Sequence, residues 1–371
     1  MLIEPRDPLI VRDGRPFTNN PGARAKSLPF PLPQTLAGAY RTRRALLEGL
    51  PLPERAEEVL RWGLRGPLLA EEGQGEWRLM VPRPLDALKL GKAIYPLRPL
   101  ELPQGAGTNL PEGLCPVGLQ SPSLKEKPIS LEAFWYWESF LKWLLEDAPE
   151  GFSPEGHGGP TPETRTHVAL DPTTQTAREG FLFQTSGLEF ARGERSAAQG
   201  QLGRVRKLAL VLWPEQELEG VFPLGGERRL ALWRKGGPGV PPLPEKLLES
   251  LVRFRAARII FLTPAFLEGA YLPKERAFGG ALVVAAVVGR PQVVSGWDLK
   301  EGRPKPSRRA VPAGSVYFVR LPETWREAEV LSWAKGVWFQ NLSENDQDRR
   351  DGFGLAVLGV WNGKLRIWEE T

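Results

Sequence analysis

The sequence predicts an α+β fold: two ferredoxin-like (RRM-type) domains, the first carrying a large insertion. Three observations predict it. Strand-like and helix-like periodicities alternate irregularly in both halves, without the repeating βα unit of a doubly wound sheet or barrel. Turn signals at Gly73-Gln74-Gly75, Gly225-Gly226 and Asn362-Gly363 separate alternating apolar segments, the pattern of antiparallel hairpins. A length of 371 residues exceeds one small core, so two domains are expected, spanning 1–200 and 201–371, with the insertion at about 84–160.

In chain order, residues 2–12 form a first strand, with Pro5 and Pro8 marking an edge or a bulge. A Gly/Asn/Pro-rich loop follows from Asp13 to Gly22. The spacing of Leu36, Ala39-Tyr40, Arg43 and Leu46-Leu47 predicts a helix over 35–47, entered at Pro33 and capped by Thr35. Gly38 inside it costs about 1 kcal/mol against Ala, so it should permit close backbone approach. A hairpin is expected within 64–81. Residues 84–128 are irregular and too long for an ordinary connection. Residues 131–145 read as one helix carrying Phe134, Trp135, Trp137, Phe140 and Trp143, an aromatic surface suited to core or protein interface rather than base stacking.

Segments 165–170 and 180–190 read as paired strands joined by a turn over 171–179. A strong strand over 205–213 opens the second unit. A hairpin at Gly225-Gly226, a helix over 244–256, and strands over 258–267, 281–288, 293–299 and 314–321 continue it. A short helix or turn is expected within 323–334. A hairpin pairing 353–358 with 364–368 closes the chain.

Composition excludes several function classes. With 41% hydrophobic and 25% charged residues the chain is globular rather than disordered. No apolar run is long enough for a membrane span. The first residues lack a secretory signal's basic region and apolar run, so a cytoplasmic location is expected. Cys115 is the only cysteine, which rules out a disulfide within the chain and a cysteine zinc cage. Low Cys and Met with abundant Pro and Arg fit a thermophile, or equally a GC-rich genome.

Charge is sorted along the chain. Residues 12–44 hold seven basic residues against one acid, 192–207 hold five against one, and 303–320 hold five and none. Such stretches serve phosphate contacts or stand as solvated faces. Arg12, Arg15, Arg24 and Lys26 flank the Gly-rich loop, whose amides can face phosphates. The helix start near Gln34 and Thr35 offers free N–H groups to an anion. Arg41, further along, reads as an added phosphate contact or as a partner in a surface salt bridge.

Four segments resemble one family in order and spacing. They are Val11-Arg12-Asp13-Gly14-Arg15-Pro16-Phe17 with Phe30 to Arg41; His167 to Leu170 with Thr176 to Phe183; Thr263-Pro264-Ala265-Phe266 with Gly296-Trp297-Asp298 and Ala310 to Tyr317; and Asp351-Gly352-Phe353-Gly354. Together they resemble the third subunits of the Cmr (type III-B CRISPR) RNA-targeting complex, in the RAMP superfamily, over about residues 1–360. The resemblance implies two RRM-like domains and a glycine-rich loop near the C-terminus. It also implies a non-catalytic subunit that binds the guide RNA (crRNA), holds its 5′ handle and docks the large polymerase-like subunit.

On that resemblance Thr174, Gln175 and Arg178 are expected RNA contacts on a protruding hairpin, with Thr176, Gly180 and Phe183 as framework. Gly352, Phe353 and Gly354 are expected to meet phosphate and base, though Gly-X-Gly is also an ordinary hairpin turn. No cofactor, no metal and no membrane partner is expected. Two readings compete: a metal-independent endoribonuclease processing guide precursors, and a purely structural adaptor. The first needs a general base, most often His. His167 lies in an alternating strand pattern and His157 in a Gly/Pro loop. Ser186 and Ser196 have no His and acid in motif context. Asp346, Asp348 and Asp351 read as helix-flanking or surface acids.

Overall fold

The computed structural model describes residues 1–12, 24–25, 27–119, 127–147, 151–195, 202–298 and 300–367. It is a mixed α/β structure, mostly sheet, with helices α1 (Pro33–Leu47), α2 (Ala56–Val59), α3 (Trp137–Leu145), α4 (Glu245–Phe254), α5 (Glu327–Val337) and α6 (Asp346–Arg350).

The first sheet is antiparallel. Across it run Gly156–His157, Phe134–Tyr136, Glu76–Pro82, Leu64–Gly73, Leu202–Pro214, Leu2–Pro5, Leu230–Arg234 and Gly220–Pro223, with Ala191–Arg195 joined to Leu202–Pro214 off this path. Leu208 to Leu212 are all buried because this strand is central and covered on both faces. Its side chains alternate with the pleat. Leu208, Leu210 and Leu212 pack with Leu36, Ala37 and Tyr40 of α1, whereas Ala209 and Val211 join Trp135, Phe140 and Trp143 in the larger core. Each such Leu stabilises the fold by about 1.5–3 kcal/mol through burial.

The second sheet is also antiparallel, in the order Ala277–Phe278, Ala281–Val287, Val316–Arg320, Ala256–Phe261, Leu355–Val360 and Gln340–Asn341. Its four longer strands thus stand 2-3-1-4 in chain order. The connection from its first to its second strand contains no helix; α4 precedes the first strand and packs on α5. In the first sheet the strands starting at Leu2, Leu64, Glu76 and Leu202 stand 3-2-4-1.

Several sequence expectations are corrected. The sheet change falls between Arg234 and Ala256, not at 200/201: the strong strand at Leu202–Pro214 fills the centre of the first sheet instead of opening the second. The region 84–160 is no separate insertion, since Phe134–Tyr136 and Gly156–His157 extend the first sheet. The aromatic run 131–145 splits into that strand and α3, with Trp135 and Trp143 fully buried, their rings 6.0 Å apart and edge-on. Among the described residues no terminal hairpin forms at Asn362-Gly363: Leu355–Val360 pairs with Ala256–Phe261, while Arg366–Ile367 pairs parallel with Arg98–Glu101.

Candidate nucleic-acid interface

Helix α1 divides its residues between two environments. At 100° per residue, Leu36, Ala37, Tyr40, Arg41 and Arg44 share one side, and Thr35, Gly38, Ala39, Thr42, Arg43 and Leu46 share the other. The first side is packed: Leu36, Ala37 and Tyr40 are fully buried and Arg41 nearly so. The second side forms one wall of a cleft of about 570 Å³. Ile10 to Arg12 and the Phe222–Arg228 segment form the other walls, and among the described residues lining it none is acidic.

The cleft has an apolar, aromatic floor and a cationic rim. The Arg43 guanidinium lies 3.7 Å from the Phe222 ring centroid, a cation–π stack. Its Nε is buried without a hydrogen-bond partner among the described residues. Arg228 and Arg12 are exposed at the rim. Gly225 brings the opposite wall close. A Cβ there would stand 2.5 Å from the Ile10 carbonyl oxygen, and its φ is +74°. Gly38 faces open space, with nothing within 4 Å of where a Cβ would sit. An anion carrying a flat ring suits this shape and charge.

Beside the cleft stands a hairpin of Thr161–Leu170 and Ala177–Glu189, the paired strands expected from sequence. Its base is tied to the segment carrying Arg12. Leu9 and Leu188 exchange backbone hydrogen bonds at 2.8 and 2.9 Å, Arg24–Ala25 pairs parallel with Gln184–Thr185, and Arg12 bridges Ser27. At the tip, Asp171 accepts from the Thr173 and Thr174 N–H groups at 2.8 and 3.1 Å, and these bonds hold its carboxyl below the usual range. Thr174 and Gln175 are exposed there, Gln175 at φ +57°. Val168 and Leu182 face each other across the strands and, with Leu170, are about half exposed.

The expected RNA-binding residues separate accordingly. Arg12 and Thr35 line the cleft, and Thr174 and Gln175 stand at the hairpin tip. Arg15 and Lys26 lie outside the described residues, and only the backbone of Arg24 and of Arg178 is described. The remaining residues make contacts within the protein.

Arg41 is buried, with Nη1 2.5 Å from Asp351 and Nε and Nη2 donating to the Trp62 carbonyl at 3.0 and 2.8 Å. It is spent on protein. Thr35 is no cap: α1 starts at Pro33 after Leu32. At the start of α1, Gln34 donates to the Ser295 carbonyl and Leu32 packs with Phe266 and Phe353. Phe353 is 1% exposed, 4.8 Å from Phe266, so no base can stack on it. Gly352 and Gly354 are buried in the same junction: a Cβ on Gly352 would stand 2.4 Å from the Gly66 carbonyl oxygen, one on Gly354 2.5 Å from the Ser343 nitrogen.

Parts of the other basic stretches are neutralised. Arg206 pairs with Glu71 at 3.1 Å, Lys207 with Glu72 at 3.2 Å, and Arg308 grips Asp348 through both terminal nitrogens. Two cleft residues, Arg43 and Arg228, are not among the expected RNA contacts, although Arg43 belongs to the basic stretch 12–44. The helical wheel carries the signal for Arg43, opposite the apolar face that claims Arg41. For Arg228 only its place after Gly225-Gly226 hints at exposure.

Of the histidines, His157 Nδ1 accepts from the Gly159 N–H at 2.9 Å and His167 Nε2 lies 2.9 Å from the Thr185 hydroxyl. Among the described residues no group of three His, Cys, Asp or Glu is placed to hold a metal ion, and no helix is long and apolar enough to cross a membrane.

A family model described as CRISPR-associated protein (Cas_Cmr3) matches residues 1–361. Two solved chains are similar at 16% identity and a TM-score of 0.47. One, from a cryo-EM structure of Type III-B Cmr-beta bound to cognate target RNA and AMPPnP, is covered over 85% of its length by 85% of this chain. The other, from Cmr-beta bound to cognate target RNA, is covered over 95% by 96% of this chain. No curated protein matches the sequence.

Proposed function

The chain belongs to the Cas_Cmr3 family of CRISPR-associated proteins, and from that membership we propose that it is the guide-RNA-binding subunit of a type III-B effector complex. It holds the 5′ handle of the crRNA, docks the large polymerase-like subunit and cuts nothing itself. The observation that carries this reading is the cleft where Arg12, Arg43 and Arg228 surround an aromatic floor without an acid among its described lining residues. Arginines supply phosphate contacts, the Arg43–Phe222 stack supplies a platform, and Gly38 lets a strand approach the helix backbone. The hairpin, with Thr174 and Gln175 at its tip, extends this surface. The 2-3-1-4 order of the second sheet supports a ferredoxin-like ancestry for that half; the first half is its rearranged counterpart.

Fluorescence anisotropy of a labelled single-stranded handle RNA, titrated at several salt concentrations, tests the proposal. Binding with a negative log–log salt slope is expected. A slope near zero, or no binding to the chain in its complex, points instead to a structural adaptor. Cleavage of guide precursor by the purified protein, abolished in His167→Ala, would establish the nuclease reading.

A further inference from the structure

A second cationic cleft, separate from the α1 cleft, opens where the two sheets meet. It encloses about 370 Å³ and is lined by Arg65 and Trp213 from the first sheet and by Asn341, Arg349 and Arg350 from the second half, with Glu215 at its edge. The charge balance is uneven. Glu215 accepts from the Gly63 N–H at 3.0 Å and lies 3.7 Å from Arg44, so its charge is engaged outside the cleft arginines.

Among the described residues Arg65 has no carboxylate partner; its Nη1 donates to the Phe339 carbonyl at 3.3 Å. Burial lowers its pKa. Arg349 turns one nitrogen to the Ser343 and Glu344 carbonyls and another to Asp346. Arg350 is exposed, its chain running beside Gly63, where a Cβ would stand 3.9 Å from its Cγ. Asn341 donates its amide nitrogen to the Leu64 and Arg349 carbonyls, leaving Oδ1 buried without a partner among the described residues.

We propose that this junction cleft binds a phosphate group, held by Arg65 from one half and Arg350 from the other. A partly buried guanidinium and an exposed one line the same cleft, neither with a carboxylate partner among the described residues, and an anion whose oxygens accept from both completes them. Because the arginines come from different halves, the bound phosphate ties the two sheets together. The proposal stands independently of the guide-RNA reading, since it uses none of the α1 cleft residues.

The test is titration calorimetry of the full chain with inorganic pyrophosphate, for wild type, Arg350→Gln, Arg350→Lys and Arg43→Gln. Binding is expected in wild type and in Arg43→Gln. It should weaken at least fivefold in Arg350→Gln and less in Arg350→Lys, which keeps the charge. Arg350 is exposed, so these variants should fold as wild type does, checked by their melting temperature. A parallel titration with single-stranded RNA distinguishes the phosphate's source: loss of RNA affinity in Arg350→Gln assigns the site to an RNA backbone, unchanged RNA affinity to a small phosphate compound, and both support the site. Absence of pyrophosphate binding to wild type, or equal affinity in Arg350→Gln, overturns it.

Discussion

Asp86 Oδ2 and Arg258 Nη1 meet at 2.8 Å with both side chains fully removed from solvent, although 172 residues separate them. Arg98 Nη1 reaches the same oxygen at 3.0 Å, and the Trp143 indole N–H donates to Asp86 Oδ1 at 2.9 Å. Arg258 spends its remaining nitrogens on carbonyls of Val360, Trp143 and Glu146 at 2.8, 2.7 and 3.1 Å. One carboxylate thus joins the 84–101 region, α3 and the second sheet. Removing one member of such a cluster leaves buried charge uncompensated. Asp86→Ala should cost about 3–5 kcal/mol of stability, read as a fall in the denaturant midpoint. A loss below about 1 kcal/mol would mean the guanidiniums find water or other partners.

Arg41 and Arg43 are two residues apart and should respond in opposite ways. Arg43→Gln is expected to weaken RNA binding about tenfold and flatten the log–log salt slope by about 0.7, the share of one phosphate contact on a single strand, with little change in stability. Arg41→Gln breaks the buried pair with Asp351 and should lower the melting temperature. Anisotropy and thermal unfolding on both variants separate the two roles.

Gly38 offers a graded test of the cleft. Gly38→Ala should stabilise α1 by about 1 kcal/mol and leave RNA affinity nearly unchanged. Gly38→Leu should keep the helix yet fill the cleft, lowering affinity by more than tenfold. Equal affinity in Gly38→Leu would remove the cleft from the binding surface.

Gly352→Ala is expected to destabilise the protein rather than impair RNA contact directly. Its φ of +96° disfavours a side chain, and the added Cβ would collide with the Gly66 carbonyl. Hydrogen exchange should show faster opening around Gly66 and α6, where the two halves touch.

Tyr136 supplies a pH signature. Burial, then its hydrogen bond to Glu71, pushes its hydroxyl up to about 12 from 10.0. A raised folded-state value stabilises the fold below the unfolded value and loses that contribution as pH rises through the folded one. Wild type should therefore lose stability relative to Tyr136→Phe between about pH 10 and pH 12, measured by urea unfolding at each pH.

The hairpin at 161–189 and the Gly225-Gly226 turn could be read from sequence because their signals are local. Alternation and turn residues set antiparallel pairing within a few residues. Helix α1 was visible in the same way, and its wheel already separates Arg41 from Arg43. The buried fate of Phe353 was not visible: Gly-Phe-Gly permits a stacking platform or a core plug, and only the approach of Phe266 and Leu32 decides between them.

By itself, then, the chain determined its family, its mixture of helices and sheets and the basic stretch that feeds the α1 cleft, all carried by short-range pattern and residue order. Tertiary structure alone decided which sheet takes the strand Leu202–Pro214, which arginines keep their charge for a ligand and which surrender it to Asp86, Asp348 or Asp351. Those outcomes depend on contacts between residues far apart in sequence, where burial converts a solvated cation into a structural one.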